Sequence, residues 1–330
     1  VFTGWMYANA RYWYWGGWIE ADTMEPMKPF EAYHDTDAKI LLNDELLPAG
    51  MTAEQDLEAA LDNIFAHPNI APFVSKQLIQ RLVTSNPSPD YVSRVTAVFN
   101  DNGQGEKGDL EAVVKAILLD PQARRVDSLT DEQYGKLKEP VLKFTSLMRA
   151  FDVLAEQPLN ESGTAETETI RFFWPGYDYG QRTYGSPSVF NFYRPDYAPS
   201  NAFDNEDVVA PEFQILTEQN ITAASNWGGA VIFNSYDFLR ENCEEELSFE
   251  SGVGCVFARF DDEIEIARNT GELLDHLDML MLGGQMSGEM RDVLLDHIEP
   301  FNAEQEQERL YRVAEATYLI WMSPEFAVQR

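Results

Sequence analysis

Apolar residues recur at helical spacing along most of the chain from residue 51 onward. Leu57, Leu61, Ile64 and Phe65 fall on one face of a predicted helix that begins near Thr52 and ends at His67. The same spacing returns over residues 73–82, 92–99, 110–118, 136–154, 211–226, 271–282, 286–298 and 303–322. The pattern predicts a mainly α, irregular multi-helix fold with at most a short β-hairpin.

Two long stretches lack this period. Residues 1–50 are aromatic and irregular, and residues 156–212 combine prolines, glycines and aromatic residues. We expect the second stretch to be a long ordered aromatic and Pro-rich loop, with residues 172–197 packed on the helices. GAVIFNSYDF (228–237) and CVFARF (255–260) are predicted to be short strands.

The whole chain is interpreted as one mostly helical domain, residues 1–330. Within it lie the irregular segment 1–50, helical residues 51–155, the loop region 156–212 and helical residues 213–330. Ser88 before Pro89, and Asp109 before an apolar run, are predicted to begin helices because short polar side chains cap the first turn.

The strongly negative net charge of the chain makes some classes of binding partner unexpected. The 330 residues include 56 Asp and Glu against 24 Lys and Arg, a formal net charge of −32. Such a polyanion is repelled by nucleic-acid phosphates and by anionic lipid, so neither is an expected partner. No apolar run reaches the roughly 18 residues that a membrane span needs.

The chain has two cysteines, Cys243 and Cys255. Their separation permits a short disulfide-closed loop in an oxidising compartment, whereas a reducing cytosol would leave two thiols. No zinc-type Cys/His spacing accompanies them. The sequence favours the disulfide.

Several blocks resemble one known family. They are HPNIAPFVSKQLIQRLVTSNPSPDYVSRVTAVF at residue 67, SPSVFNFYRPDYAPS at 186, LMLGGQMSGEMRDVLLDHI at 280 and SPEFAVQR at 323. Together they resemble the bacterial family called domain of unknown function 1800 (DUF1800). The opening VFTGWMY resembles a block inside that domain, which implies that an N-terminal part of it is missing here.

The resemblance implies a largely helical fold and an exported bacterial protein, placed in the periplasm, at the cell surface or outside the cell. It also implies, as a candidate partner, a secreted protein similar to the alkaline phosphatase and sulfatase group. It brings no reaction, cofactor or catalytic residue that can be transferred to this sequence.

Residues 34–37, HDTD, are the best candidate for a metal or acid–base site. GxSxG, HExxH, SxxK, P-loop and GxGxxG motifs are all absent from the sequence. Oxygen and nitrogen ligands from His34, Asp35 and Asp37 on one loop suit a divalent cation. The alternative is a solvated loop, which the sequence favours.

NDNGQGEKGDLE (100–111) invites a calcium interpretation, because Asp101 and Asn102 offer oxygen ligands between glycines. The EF-hand template fails, with glycine at its third and fifth positions and Ala112 at its twelfth. An Asn-Gly turn followed by a helix cap at Asp109 accounts for the same residues and is favoured. No other cofactor is expected.

Two aromatic segments are candidate binding surfaces. Trp13, Trp15 and Trp18 in YWYWGGW suit either a core or interface or a stacking platform for a glycan; the first is favoured. SPSVFNFYRPDYAPS is either a loop stapled onto helices or a groove wall that presents Tyr193 and Arg194. Arg194 and Asp196 are natural ionic partners.

The favoured function is therefore a non-enzymatic scaffold or binding module that works with a partner at the cell surface or in the periplasm. The alternative is a hydrolase that cleaves a polysaccharide or another polymer with paired carboxylates in an aromatic cleft. Its candidate catalytic residues are Asp35, Asp37 and Asp196.

Overall fold

The computed structural model describes residues 1–8, 22, 24–124, 134–151, 153–156, 180–182, 185–200, 208–236 and 255–330. The larger helices are α1 (Ala53–Ala66), α2 (Ile70–Leu82), α3 (Pro89–Asn100), α4 (Leu110–Leu119), α5 (Pro140–Ala150), α6 (Glu218–Phe233), α7 (Asp261–Ile266), α8 (Thr270–Leu277), α9 (Gly288–Ile298), α10 (Glu306–Met322) and α11 (Pro324–Ala327). Short 3₁₀ segments and one π turn, Asp278–Leu282, join them. The predicted mainly α fold is confirmed.

The strands are short: β1 (Trp5–Met6), β2 (Lys28–Pro29), β3 (Lys39–Ile40), β4 (Leu46–Leu47), β5 (Lys136–Leu137), β6 (Leu154–Glu156), β7 (Cys255–Phe257) and β8 (Val328–Gln329). They form four two-stranded antiparallel ladders, β1–β2, β3–β4, β5–β8 and β6–β7. The sequence predicted at most one hairpin. The ladders β5–β8 and β6–β7 join strands that lie far apart in the chain, which local patterns do not reveal.

The described residues divide into two compact units. Unit 1 comprises Val1–Leu78 and Pro89–Ala116, and unit 2 comprises Ile79–Ser88 and Ile117–Arg330. Unit 1 thus holds the first two ladders with α1, α3 and most of α2 and α4. The interpretation of the whole chain as one domain stays a prediction.

Local capping explains where the helices begin. Thr52 and Gln55 form a reciprocal capping box at the start of α1. Pro89 opens α3 as predicted, and the Asp109 carboxylate accepts a hydrogen bond from the Ala112 N–H at 3.1 Å in the first turn of α4.

Helix α1 is rotated relative to the predicted orientation. Its buried residues are Ala53, Asp56, Ala60 and Asn63. Its apolar residues Leu61, Ile64 and Phe65, predicted to face inward, are exposed. Polar partners on the preceding loops bind the Asn63 amide and one oxygen of the Asp56 carboxylate, whereas the other oxygen, Oδ1, is buried without a hydrogen-bond partner. The polar face is buried in place of the apolar one.

Unit 2 contains the larger core, built from α5, α6, α8, α9 and α10. Phe144 lies at its centre, edge-on to Trp227 with ring centroids 4.4 Å apart and tilted against Trp321 at 5.3 Å. A Cβ on Gly228 would lie 2.2 Å from the Trp321 ring nitrogen, so α6 needs glycine to approach this indole.

Two elements of unit 2 differ from the sequence prediction. Helix α5 begins only at Pro140 and ends at Ala150, inside the predicted helix 136–154, because proline lacks an N–H and suits only a first turn. The stretch 228–237, predicted to be a strand, completes α6 through Phe233. The strand predicted in CVFARF is present as β7.

Two buried arginines on α10 bind backbone carbonyls at the C-terminal ends of neighbouring helices. Arg309 donates to the Ile264 carbonyl at 3.0 Å, and Arg312 donates to the Ala267 carbonyl at 2.9 Å and to that of Phe301. The two guanidinium groups therefore satisfy carbonyls that α7 and α9 leave open at their C-terminal ends.

Candidate functional site

A buried polar network in unit 2 centres on Glu139, the residue that precedes α5. One carboxylate oxygen accepts a hydrogen bond from the Tyr193 hydroxyl at 2.6 Å, and the other accepts one from the Gln181 side-chain amide at 2.6 Å. The Gln181 amide oxygen in turn accepts the Val141 N–H at 3.0 Å in the first turn of α5. Glu139 thus fixes two irregular segments onto one helix start.

Arg81, near the end of α2, completes this network. Its guanidinium lies 3.9 Å from the centre of the Tyr193 ring, and Nη1 is 3.5 Å from the Glu139 carboxylate. Nη2 donates to the Phe190 carbonyl at 3.1 Å. Burial, followed by the hydrogen bond to Glu139 and the charge of this carboxylate, raises the pKa of Tyr193, so its hydroxyl stays protonated and donates.

A second buried carboxylate, Glu212, extends the network. The Lys136 ammonium lies 3.5 Å from one of its oxygens, and the Ser85 hydroxyl donates to the other at 3.2 Å. Lys136 also donates to the Arg81 carbonyl at 2.8 Å. Burial raises the pKa of Glu212 despite these partners.

The network supports the described part of the aromatic loop, residues 185–200. Tyr193 is buried, whereas Val189, at the tip of the tight turn Ser188–Asn191, is 96% exposed. Arg194 and Asp196 lie at the surface and form the expected ion pair, with Nη2 2.7 Å from the carboxylate. Tyr193 therefore anchors the loop, and its exposed residues include Val189, Phe190 and the Arg194–Asp196 pair.

In unit 1, His34 belongs to a different cluster from the predicted one. Its Nε2 lies 3.0 Å from the Asp56 carboxylate of α1, and its Nδ1 lies 3.0 Å from the Thr3 carbonyl oxygen. Lys39 binds the same Asp56 oxygen at 2.7 Å. His34 and Asp56 are both buried, so this is a buried ionic cluster that fixes residues 1–8 and the 34–39 loop onto α1.

Asp35 and Asp37 shape the loop around this cluster. The Asp35 carboxylate accepts the Asp37 N–H at 2.9 Å, and the carbonyl oxygens of both residues accept from Lys39 at 2.5 and 2.8 Å. Among the described residues, no group of three or more His, Cys, Asp or Glu side chains is arranged to hold a metal ion. His34, Asp35 and Asp37 thus do not converge on one point.

Asp56 is the functional group that sequence reasoning missed. It lies outside the apolar stripe of α1, in a position where the sequence pattern predicts a surface acid. The available signal was the small-residue spacing Ala53, Asp56, Ala60, Asn63, which marks a second possible buried face at helical period.

The candidate calcium loop closes on itself through hydrogen bonds. The Asp101 carboxylate accepts the N–H groups of Gly103 and Gly105 at 2.8 and 3.0 Å. The Asn102 side-chain oxygen accepts those of Gln104 and Glu106 at 2.9 and 3.3 Å, and its amide donates to Asp109 at 2.8 Å. One Asp101 carboxylate oxygen and the Asn102 amide oxygen, both named as calcium ligands, therefore accept hydrogen bonds inside the turn.

Other predicted site residues lie outside the described residues: Trp13, Trp15, Trp18 and Cys243, together with the side chain of Cys255. The Cys255 backbone belongs to β7, opposite Glu156. The disulfide and the tryptophan surface stay predictions. Within the described ranges no helix has the length and apolar character to cross a membrane.

The comparison with known families decides the membership of this chain. The family described as Protein of unknown function (DUF1800) matches residues 1–328. The chain belongs to the DUF1800 family. The helical fold that this membership implies is the fold observed. No curated protein and no solved structure matches the chain.

The DUF1800 chain also holds two partly buried lysines in unit 2. The Lys138 ammonium lies 4.0 Å from the centre of the Phe326 ring, and that of Lys143 lies 4.5 Å from the Trp321 ring. Burial lowers the pKa of both lysines, and the charge of Lys138 contributes to lowering that of Lys143 to about 8. Each ammonium is thus held against an aromatic face at an electrostatic cost.

We expect Lys143→Met to raise the free energy of unfolding at pH 7 by about 1–3 kcal/mol, since the folded state no longer desolvates an ammonium. The pKa of Lys143 is about 8 when folded against 10.5 when unfolded. The unfolded chain therefore holds more protons between these values, and wild-type stability rises with pH there. Urea unfolding at pH 7 and pH 10 measures both effects.

The exposed Lys115→Met is the matched control for this substitution and should leave stability nearly unchanged. Equal stability of Lys143→Met and wild type at pH 7 would contradict the assignment.

Proposed function

We propose that this DUF1800 chain is a non-enzymatic binding module that docks a partner protein through an exposed apolar surface of unit 1. The observation that carries the proposal is the rotated orientation of α1. The helix buries Asp56 and Asn63 and leaves Leu61, Ile64 and Phe65 partly exposed, at 54%, 38% and 43%. Apolar side chains grouped on one helix face, unlike single scattered ones, mark interaction sites.

We call Leu61, Ile64 and Phe65 the α1 stripe. They are spaced i, i+3 and i+4, so they are neighbours on the helix surface. Phe65 is held in place, because its ring lies 6.2 Å from that of Phe99 and a Cβ on Gly108 would come within 2.6 Å of it. A rigid aromatic side chain loses little conformational entropy on binding, which suits a docking anchor.

The β3–β4 hairpin bears a second exposed apolar pair. Ile40 and Leu46 are cross-strand partners and are 71% and 66% exposed. The hairpin connection is fixed to α1, because Asn63 donates to the Leu42 carbonyl at 3.0 Å and accepts its N–H at 3.1 Å. The α1 stripe and the Ile40–Leu46 pair are thus two exposed apolar groups on connected elements of unit 1, which favours a protein as the binding partner.

The charges around the α1 stripe indicate the chemistry of the partner. Glu54 and Glu58 are exposed and lie on the same side of α1 as Leu61 and Phe65, at helical spacing. A partner surface with an apolar centre and basic margins complements this arrangement. The net charge of −32 favours association with a basic partner by electrostatic steering.

The proposal places this binding after export, in the periplasm, at the cell surface or outside the cell. Its supports are the acidic composition and the family resemblance, which also suggests a secreted partner similar to the alkaline phosphatase and sulfatase group. Glycan binding by Trp13, Trp15 and Trp18 is a separate prediction from the sequence. The hydrolase alternative also stays a prediction, with Asp35, Asp37 and Asp196 as its carboxylates.

The test compares Leu61→Asp/Ile64→Asp with Leu110→Asp, a residue of unit 1 that is 55% exposed at the start of α4. Each tagged chain is expressed in the native cells, and the co-purifying protein is identified, purified and titrated calorimetrically against each variant. We expect the double variant to bind at least about tenfold more weakly, because burial of two apolar side chains is replaced by burial of charge.

Leu110→Asp should bind as the wild type does, and the melting temperature of each variant checks that the fold is retained. Equal affinity of all three chains for the captured protein would overturn the proposal.

A further inference from the structure

A cavity of about 360 Å³ lies in unit 2, beside the β5–β8 ladder. Its lining is divided by chemistry. Met281, Leu282 and Val328 form an apolar side, while Lys138, Gln285 and Arg330 supply polar groups. Small-molecule sites typically combine such an apolar lining with a few convergent polar groups.

Backbone hydrogen bonds fix the walls of this cavity. The Lys138 N–H donates to the Ala327 carbonyl at 2.7 Å, which extends the β5–β8 ladder by one bond. On the opposite wall, the π turn ends at Gly283 and Gly284, both in the left-handed region. The Asp278 carboxylate accepts the Met286 N–H at 2.9 Å and closes that turn. The cavity is therefore preformed.

The acid that lines the cavity does not pair with Lys138. Glu325 lines the cavity, but its two carboxylate oxygens accept hydrogen bonds from the Ser287 N–H and hydroxyl at 3.0 and 2.6 Å. Lys138 makes no ion pair with any carboxylate in the described part of the chain.

Burial lowers the pKa of Lys138, which shows that the ammonium is poorly solvated where it lies. The face of the Phe326 ring, 4.0 Å away, stabilises the ammonium in part and holds it in place. An oxyanion in the cavity would add the missing counter-charge.

We propose that this cavity binds a small organic anion, with its carboxylate or phosphate on Lys138 and its apolar body against Met281, Leu282 and Val328. A cationic head group would meet the Lys138 ammonium at the same place, and inorganic anions leave the apolar side unfilled. The site is independent of the α1 stripe and of the function proposed for it.

Four probes separate the two contributions. Hexanoate and hexyl phosphate carry an apolar body and an anion, hexanol carries the body alone, and inorganic phosphate carries the anion alone. Isothermal titration of the full chain should give a Kd of about 10 µM to 1 mM for at least one of the two organic anions. Hexanol and inorganic phosphate should each bind at least about tenfold more weakly.

Variants then assign the site. Lys138→Met should weaken binding of the better organic anion at least about tenfold, while Lys138→Arg should largely restore it because the positive charge is kept. Lys143→Met is the matched control, since Lys143 does not line the cavity and binding should persist. Circular dichroism of each variant checks that the fold is retained.

The comparison of hexanoate with hexyl phosphate identifies the preferred head group. Three results would each overturn the proposal: no saturable binding of either organic anion, equal binding of hexanol, or unchanged affinity in Lys138→Met.

Discussion

Replacement of Glu139 by leucine will lower the free energy of unfolding of unit 2 by about 3–5 kcal/mol, the largest single effect we expect in this protein. The variant leaves the Tyr193 hydroxyl and the Gln181 amide buried without their acceptor. It also leaves the Arg81 guanidinium without its carboxylate. Unsatisfied buried groups cost more than the lost hydrogen bonds contributed.

Two variants should lower the free energy of unfolding by less than Glu139→Leu does. Glu139→Gln keeps an acceptor oxygen and should cost about 1–2 kcal/mol, and Tyr193→Phe removes one hydroxyl and should cost a similar amount. Urea unfolding followed by near-ultraviolet circular dichroism measures all three. If Glu139→Leu were no less stable than Tyr193→Phe, Glu139 would not be the centre of the network.

Replacement of Asp56 by alanine will destabilise unit 1 by about 2–4 kcal/mol, because it leaves His34 and Lys39 without the carboxylate that both contact. Burial alone would raise the pKa of Asp56, but hydrogen bonds from Lys39 and His34, together with their charge, outweigh it and lower the pKa below 3.8. The stabilisation from this carboxylate is therefore present above pH 3.8 and is lost as the pH falls through the lower folded value.

The free energy of unfolding measured as a function of pH, below about pH 5, tests the contribution of the ionised Asp56. Wild-type unit 1 should lose stability on acidification below about pH 4, and Asp56→Ala should show a shallower loss. Asp62→Ala, an exposed acid on the same helix, is the matched control and should follow the wild type. Parallel acid limbs for wild type and Asp56→Ala would refute a stabilising charge at this position.

Local signals in the sequence located the elements, and the sites depend on partners that are distant in the chain. Pro89 and Asp109 mark helix starts because a cap acts within one turn. By contrast, Glu139 meets Tyr193 54 residues later, and Ser85 meets Glu212 127 residues later. No periodicity in the sequence encodes such pairings.

Helix α1 shows that local sequence signals can locate a helix correctly and still give the wrong buried face. Its existence, cap and end follow from Thr52, Gln55 and His67. Its predicted orientation was wrong, because the prediction placed the apolar residues on the buried face and Asp56 and Asn63 at the surface. The loops before α1 supply hydrogen-bond partners for the Asn63 amide and for one oxygen of Asp56, which reduces the penalty of burying these residues.

The central claim, that the α1 stripe is where a partner protein docks, is tested most directly by site-specific photocrosslinking in the native cells. A benzophenone amino acid at position 61 lies in the stripe, and the same group at position 110 lies on an equally exposed part of unit 1. We expect one discrete crosslinked protein from position 61 and none from position 110. Crosslinks of equal yield at both positions, or a discrete product from position 110 alone, would contradict it.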